Sequence, residues 1–232
     1  MPDAPVLPPL LSGIPVSETT DPLAATARDA VTGRLGAGDL VWSQATDRAA
    51  CALVLEPDRP LDEALQMVPL MMIAIGDALG AIGPPNLGIM VQWPATLLAN
   101  GGAVGGVRVA VPEGVTLDEV PDFLVVGFEI ALRLPEDLRE APGHAAHLTA
   151  LHEEGAGDID RNQLIGAVAR HFLSWLDAWE HSGFTALRQA FAALLLKPQE
   201  VAGTRLLRLD GSAGALLEDG RAIPLAKALG VG

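Results

Sequence analysis

The sequence predicts an α+β fold with a mixed or antiparallel central sheet, helices packed mainly on one side, and a small C-terminal β module. Three observations lead to this prediction. Apolar strand patterns joined by short turns fill much of residues 39–132, helical patterns flank them, and residues 199–232 contain short strand patterns separated by Asp-Gly turns. We therefore divide the chain into residues 1–196, an α+β domain, and residues 199–232, the β module.

The composition is that of a folded protein. Of the 232 residues, 50% are hydrophobic and 19% are charged, and the net charge is −14. Fifteen Lys and Arg in the whole chain argue against a nucleic-acid partner, which needs clustered cations, and against an anionic membrane surface. A single cysteine, Cys51, and the lack of a basic, apolar leader predict a cytoplasmic location.

The first elements are predicted from capping and turn residues. Residues 1–16 are proline-rich and are expected to lie extended on the surface, before a helix in TDPLAATARDAVTG that Thr20 or Asp21 caps. Two short strands, DLVWSQ and CALVLE, follow as a hairpin or near-hairpin. Residues 61–80 are apolar on nearly all sides, which predicts a buried helix that Pro69 kinks or interrupts.

The rest of the chain is predicted from hairpin and cap signals. Asn100-Gly101 between apolar runs is a two-residue hairpin signal, and FLVVGFEIAL alternates like a strand. Asp160 followed by Gln163 predicts the start of an amphipathic helix that ends at Gly183. In the tail, TRLLRL, GALLE and RAIPL are predicted to form a three-stranded meander.

Four segments in order resemble the biotin protein ligase family. QWPATLLANGGAVGG resembles its signature of Lys-Trp-Pro-Asn-Asp-Leu-Leu, Asn-Gly and Lys-Val-Gly-Gly. TGRLGAGDLVWSQ is similar to the glycine-arginine loop of the family, and VVGFEIAL stands where the family has Val-Val-Gly-Ile-Gly-Ile-Asn. The stretch LTALHEEGAGDIDRNQLIGAV follows a Thr-Ser-Leu, acidic, Asp-Arg and helix pattern. By this resemblance the chain is similar to the biotin/lipoate protein ligase-like family.

The resemblance implies a site that joins a carboxylic acid to ATP and passes the acyl group to a lysine of a carrier domain. The implied cofactors are ATP and biotin or lipoate, and the implied partners are a small-molecule acid or nucleotide and a biotinyl or lipoyl carrier domain. In such a site glycines let the backbone approach an anion and lysines neutralise developing charge. The implied ligand-binding residues are Gly33, Arg34, Gly36, Gly38, Trp42, Gln92, Trp93, Thr96, Gly105 and Gly106.

Several positions depart from the signature of the family. Gln92 and Ala103 stand where the resemblance places its two lysines, so no catalytic residue is assigned. Ala95-Thr96 replaces the Asn-Asp pair, and Glu129-Ile130-Ala131 stands where the resemblance places Gly-Ile-Asn. Loss of one preorganised donor or cation typically costs about 10²–10³ in rate. We therefore expect a degenerate adenylation site that binds a small carboxylic acid, a nucleotide or a carrier domain without efficient catalysis.

Two alternatives remain open at this point. Arg48 or Arg108 could supply charge from another direction, which would leave an active biotin- or lipoate-type protein ligase with an altered site. Cys51 could accept an acyl group, as in transferases of the same superfamily, although a cysteine in an apolar strand is usually inert packing.

Histidines and tryptophans also permit two interpretations each. His144, His147 and His152 stand beside acidic residues, but their spacing fits no common zinc motif, so no metal site is predicted. Trp42 and Trp93 are either core aromatics or the walls of an apolar pocket for a bicyclic ring or acyl chain.

Overall fold

The computed structural model describes residues 4–136, 138 and 147–231. The strands of its central sheet are β1 (Ser12–Val16), β2 (Asp39–Ser43), β3 (Arg48–Leu55), β4 (Ile89–Gln92), β5 (Thr96–Ala99), β6 (Gly102–Ala110) and β7 (Leu124–Ala131). In space their order is β1-β2-β3-β7-β6-β5-β4. β1 runs parallel to β2 and the other neighbours are antiparallel, so the sheet is mixed.

Helices cover both faces of this sheet, one face far more than the other. The helices are α1 (Pro22–Val31), α2 (Leu61–Ala64), α3 (Met67–Ile82), α4 (Arg161–Ser182), α5 (Phe184–Leu194) and α6 (Leu225–Leu229). On one face, α1 is the one described helix in the hydrophobic cluster, where its Leu23 and Ala30 pack with Val54 and Val125. On the other face α3, α4 and the sheet enclose the main hydrophobic core. The predicted α+β class, with helices mainly on one side, is confirmed.

The predicted buried helix is present, but its interruption is not at Pro69. The break lies at Leu65 and Gln66, between α2 and α3, and Pro69 sits in the first turn of α3. A proline is tolerated there because the first amides of a helix have no partner within the helix. By length and composition, Leu61–Ile82 could also cross a membrane, and 72% of its most apolar window is buried inside the protein.

The N-terminal segment is more structured than its prolines suggest. Residues 12–16 form β1, which pairs with β2 along its whole length and lies at the edge of the sheet. Pro15 has no amide hydrogen to donate, which an edge strand tolerates and a central strand does not. The expectation of an extended surface segment before the first element is therefore wrong for this part of the chain.

The turn and cap predictions are confirmed. Asn100 and Gly101 have φ angles of 48° and 94°, and Ala99 and Gly102 pair across them, which is a two-residue hairpin. The Asp160 carboxylate accepts a hydrogen bond from the Gln163 amide at 2.8 Å and caps α4.

The C-terminal residues form a sheet and a helix where three strands were predicted. The strands are β8 (Glu200–Val201), β9 (Thr204–Leu209), β10 (Ala215–Leu217) and β11 (Ala222–Ile223), in the order β11-β10-β9-β8, and α6 follows. Pro224 ends β11 and begins α6, which explains why RAIPL is not one strand. The division of the chain at residues 196–199 stays a prediction.

Candidate functional site

A cavity of about 1030 Å³ opens at one end of the central sheet. Its walls come from the turn after β1, the start of β3, the β4–β5 turn, the middle of β6 and the end of β7, with α6 at the rim. The charged side chains that line it are Asp21, Asp47, Arg48, Arg108, Glu129 and Arg133. Three cations therefore face three carboxylates among the described lining residues, and these contain no lysine.

The shortest charge pair of the cavity joins Asp21 to Arg108. Arg108 donates through Nη1 to Asp21 Oδ2 at 3.0 Å and through Nη2 to Oδ1 at 2.8 Å. This bidentate contact holds the pKa of the Asp21 carboxyl below its usual value and raises the pKa of Arg108. Arg108 is one of the two arginines that could replace the missing lysines. Its positive charge is already neutralised by Asp21 of the same chain.

The other two arginines of the cavity are also engaged. Arg48 donates to Asp47 at 3.3 Å and to the Glu18 carbonyl, and its Nε lies 4.0 Å from Glu129. Arg133 donates through Nε to His152 Nδ1 at 3.1 Å. Because His152 Nδ1 accepts this bond, its Nε2, 2.9 Å from the Ile159 carbonyl, carries the proton and donates.

Two consecutive glycines allow the strands to approach each other beneath the cavity. Gly105 has a φ of +152°, and a Cβ there would collide with the Glu129 carbonyl oxygen. A Cβ at Gly106 would collide with the Ala95 carbonyl oxygen. Both glycines are therefore required by close backbone packing of β6 against β7 and the β4–β5 turn.

A model of the Biotin/lipoate A/B protein ligase family matches residues 7–193. The chain belongs to this family. Biotin--[acetyl-CoA-carboxylase] ligase of Paracoccus denitrificans is 28% identical over 179 residues, which cover 72% of this chain and 68% of that protein.

Solved structures of the ligase family share the fold. A biotin protein ligase-like protein of unknown function from a Silicibacter species is 31% identical, with a TM-score of 0.88 and coverage of 97% of this chain and 99% of the other. Biotin protein ligase from Aquifex aeolicus in complex with biotin and ATP has a TM-score of 0.67 at 16% identity, covering 92% and 95%. At that identity the likeness concerns the fold alone.

Three of the ligand-binding residues implied by the ligase resemblance line the cavity. Thr96, Gly105 and Gly106 do so directly. Gln92 pairs with Thr96 across the β4–β5 turn and is exposed, but it does not line the cavity. Ala103 exchanges backbone hydrogen bonds with residues 147 and 149, next to the lining residue Val104. Neither position where the resemblance places a lysine therefore contributes a cation here.

The predicted glycine-arginine loop lies away from the cavity, in the connection between α1 and β2. Its predicted ligand-binding residues are Gly33, Arg34, Gly36 and Gly38. The Gly38 amide donates to the Val54 carbonyl, near the C-terminal end of β3. Arg48, the first residue of β3, lines the cavity. Val54 and Arg48 are six residues apart on β3, which at about 3.3 Å per residue separates the two places by roughly 20 Å.

Amide and guanidinium groups of this loop already have partners within the chain. The Gly36 amide donates to Asp39 and the Ala37 amide to Glu56, while Arg34 pairs with Asp29. These contacts explain the loop as a structural connection. Ligand binding by it stays a prediction without support from the cavity.

The tryptophans are core residues. Trp42 on β2 is 2% exposed, and the Arg161 guanidinium lies 5.0 Å from its ring centre. Trp93 is 5% exposed and donates from its indole to the Ala213 carbonyl at 3.0 Å, while its amide donates to the Gln199 side chain at 2.9 Å. Both lie in the core, as one of the two interpretations predicts, and neither lines the cavity, so the apolar pocket walled by both stays a prediction without support.

Sequence reasoning missed the acidic half of the cavity. The sequence offers Asp21 as one of two candidate helix caps, with Thr20, and its second role depends on Arg108, 87 residues away in the chain. Asp47 and Arg133 carry no motif that would have marked them. Among the described residues no group of three His, Cys, Asp or Glu could hold a metal ion, and His144 lies outside them.

Cys51 does not line the cavity. It lies within β3 with 4% of its surface exposed and packs in the main core. Burial raises the pKa of its thiol far above the usual range. The thiolate that an acyl transfer requires is therefore disfavoured.

Proposed function

We propose that this member of the ligase family binds a small carboxylic acid in the cavity without efficiently forming an acyl-adenylate. The observation that carries the proposal is the charge balance of the cavity. Its arginines each contact an acceptor of the chain itself, and Gln92 and Ala103 stand at the family lysine positions. A carboxylate and the α-phosphate of ATP repel each other, so joining them needs unneutralised positive charge.

The cavity nevertheless suits a small acid. Its volume of about 1030 Å³ accommodates a ligand of drug-like size or larger, and its polar groups converge from several strands. Arg108 directs two of its five donors at Asp21, which leaves further N–H groups of the guanidinium for a ligand carboxylate. A single acid group can share this arginine with Asp21, whereas a polyphosphate would face three carboxylates.

Calorimetry and a pyrophosphate assay test the proposal together. We expect at least one of biotin, lipoate and octanoate to bind, ATP to bind more weakly, and ATP plus the bound acid to release no pyrophosphate. Arg108→Gln should weaken acid binding, whereas the matched change Arg28→Gln on the outer surface of α1 should not. If none of the acids binds the wild-type protein, the proposal fails for these ligands.

An active biotin- or lipoate-type protein ligase is the second candidate. The similarity to the Paracoccus denitrificans ligase favours it, and Arg48 and Arg108 both line the cavity. This candidate requires that a bound substrate recruits Arg133 from its contact with His152, or separates Arg48 or Arg108 from its carboxylate. Pyrophosphate release, followed by transfer of the acyl group to a biotinyl or lipoyl carrier domain, would establish it and contradict the first proposal.

Acyl transfer by Cys51 is the candidate that the geometry supports least. If a transfer activity is observed, Cys51→Ser should leave it unchanged, because the thiol lies in the core. We also propose a cytoplasmic location, which the single unpaired cysteine favours.

A further inference from the structure

A second concave surface lies on the C-terminal sheet, away from the ligand cavity. It has a volume of about 600 Å³ and lies between the last turns of α5, the connection after it, and β9. We call it the basic groove. Its residues are Arg188, Ala192, Leu195, Leu196, Lys197, Pro198, Gln199, Arg205, Leu206, Leu207, Arg208 and Leu209.

The charge of the basic groove is opposite to that of the protein. Four of the 15 Lys and Arg of a chain with net charge −14 line it, and none of the described lining residues is acidic. In the part of the chain that the structure describes, none of these four side chains lies within 4.0 Å of a carboxylate. Glu200 stands opposite Arg205 across β8 and β9 without forming an ion pair.

The basic groove differs in this respect from the ligand cavity. There, every arginine contacts an acceptor within the chain, whereas the four exposed cations of the basic groove have no hydrogen-bond acceptor among the described residues. Like charges that lie close together repel each other, and an anionic partner would relieve that repulsion.

The groove also runs along an open edge of the sheet. β8 pairs only with Thr204 and Arg205, so along residues 207–209 β9 has β10 on one side and no described strand on the other. Leu207 in this stretch is 59% exposed. An open strand edge can pair with an extended peptide, whose main chain supplies hydrogen bonds and whose alternate side chains contact the walls.

We propose that the basic groove binds an extended acidic peptide segment of a partner protein, which pairs with β9 and places carboxylates near Arg188, Lys197, Arg205 and Arg208. Leu206 and Leu207 between the cations suit apolar side chains of the same segment. A single-stranded nucleic acid fits less well, because the described lining residues provide no aromatic side chain on which bases could stack. The proposal is independent of what the ligand cavity binds.

Fluorescence anisotropy with a labelled peptide of alternating Glu and Val tests this site in the full chain. We expect saturable binding that weakens as salt is added. Arg205→Glu with Arg208→Glu should weaken binding by at least about tenfold, because attraction becomes repulsion at two positions. Arg28→Glu with Arg34→Glu changes the net charge equally, lies on another surface, and should leave the affinity unchanged. Thermal melting establishes that both double variants are folded.

Two further peptides separate charge from strand pairing. A peptide with Gln in place of Glu should lose binding, and a peptide with Pro in place of Val should bind more weakly because proline cannot donate a backbone hydrogen bond. The proposal is overturned if the labelled peptide shows no saturable binding up to about 1 mM, or if either substituted peptide binds as well. Tighter binding of a single-stranded oligonucleotide would also overturn it.

Discussion

Asp21 joins the start of α1 to the middle of β6 through its contact with Arg108. Its Oδ1 accepts from the Leu23 amide at 3.0 Å and from Arg108 Nη2 at 2.8 Å, and its Oδ2 accepts from Nη1. One carboxylate thus caps a helix and neutralises an arginine in the ligand cavity. This contact ties the charge of the site to the stability of the fold.

Asp21→Asn should lower stability in a pH-dependent way. Asparagine keeps a capping oxygen but loses the ion pair with Arg108. Because both side chains are more than a third exposed, we expect the ion pair to contribute about 0.5–1 kcal/mol to the free energy of unfolding. Because the pKa of Asp21 is lower in the folded protein than its unfolded value of about 3.9, the stabilisation is present above that pH and disappears as the pH falls through the folded pKa. Urea unfolding at pH 7 and at low pH measures both effects.

The control for this change is Asp158→Asn, at an exposed aspartate whose side chain forms no hydrogen bond or ion pair with the described residues. It should leave the free energy of unfolding nearly unchanged at pH 7. A difference between wild type and Asp21→Asn that grows as the pH is lowered would contradict the proposed role of the ion pair.

Gly105→Ala should destabilise the protein severely. The new Cβ would meet the Glu129 carbonyl oxygen, and the φ of +152° is one that alanine rarely adopts. We expect a loss of at least about 3 kcal/mol or failure to fold. Gly157→Ala, where no atom lies within 4 Å of the added Cβ, is the matched control and should change the melting temperature little.

Gln199→Ala should weaken the attachment of the C-terminal sheet. The buried Gln199 side chain accepts from the Trp93 amide and donates to the Leu196 carbonyl. Its removal leaves a buried amide without a partner, at a cost of about 1–3 kcal/mol. Urea unfolding should show this loss, whereas Gln189→Ala on the exposed face of α5 should be near neutral. Equal effects of both changes would argue against the contact.

The Cys51 thiol should react slowly in the native protein. Burial raises its pKa, so both access and ionisation oppose attack on a disulfide reagent at pH 8. We expect one equivalent of thiol to react after unfolding in guanidinium and little before it. Rapid stoichiometric labelling of the folded protein would show that β3 is accessible and would revive acyl transfer by this residue.

Local elements were largely predictable because their signals come from neighbouring residues. The Asn100-Gly101 hairpin and the Asp160 cap follow from the conformational preferences of a few adjacent residues. β1 was missed because Pro15 argues against a strand unless its place at the edge of a sheet is known. The position of an edge depends on strand order, which no local pattern specifies.

The sequence alone determined the α+β class, the buried helix α3, the hairpins and the family resemblance, since periodicity, turns and motifs are properties of short segments. The tertiary structure alone decided which residues share a cavity. It placed the glycines of residues 33–38 at the far end of β3, put Trp42 and Trp93 in the core, and brought Asp21 to Arg108. Whether a charged side chain in a site is paired depends on which groups the folded chain places beside it. The distance between two such groups is set by strand order and direction rather than by their spacing in the sequence.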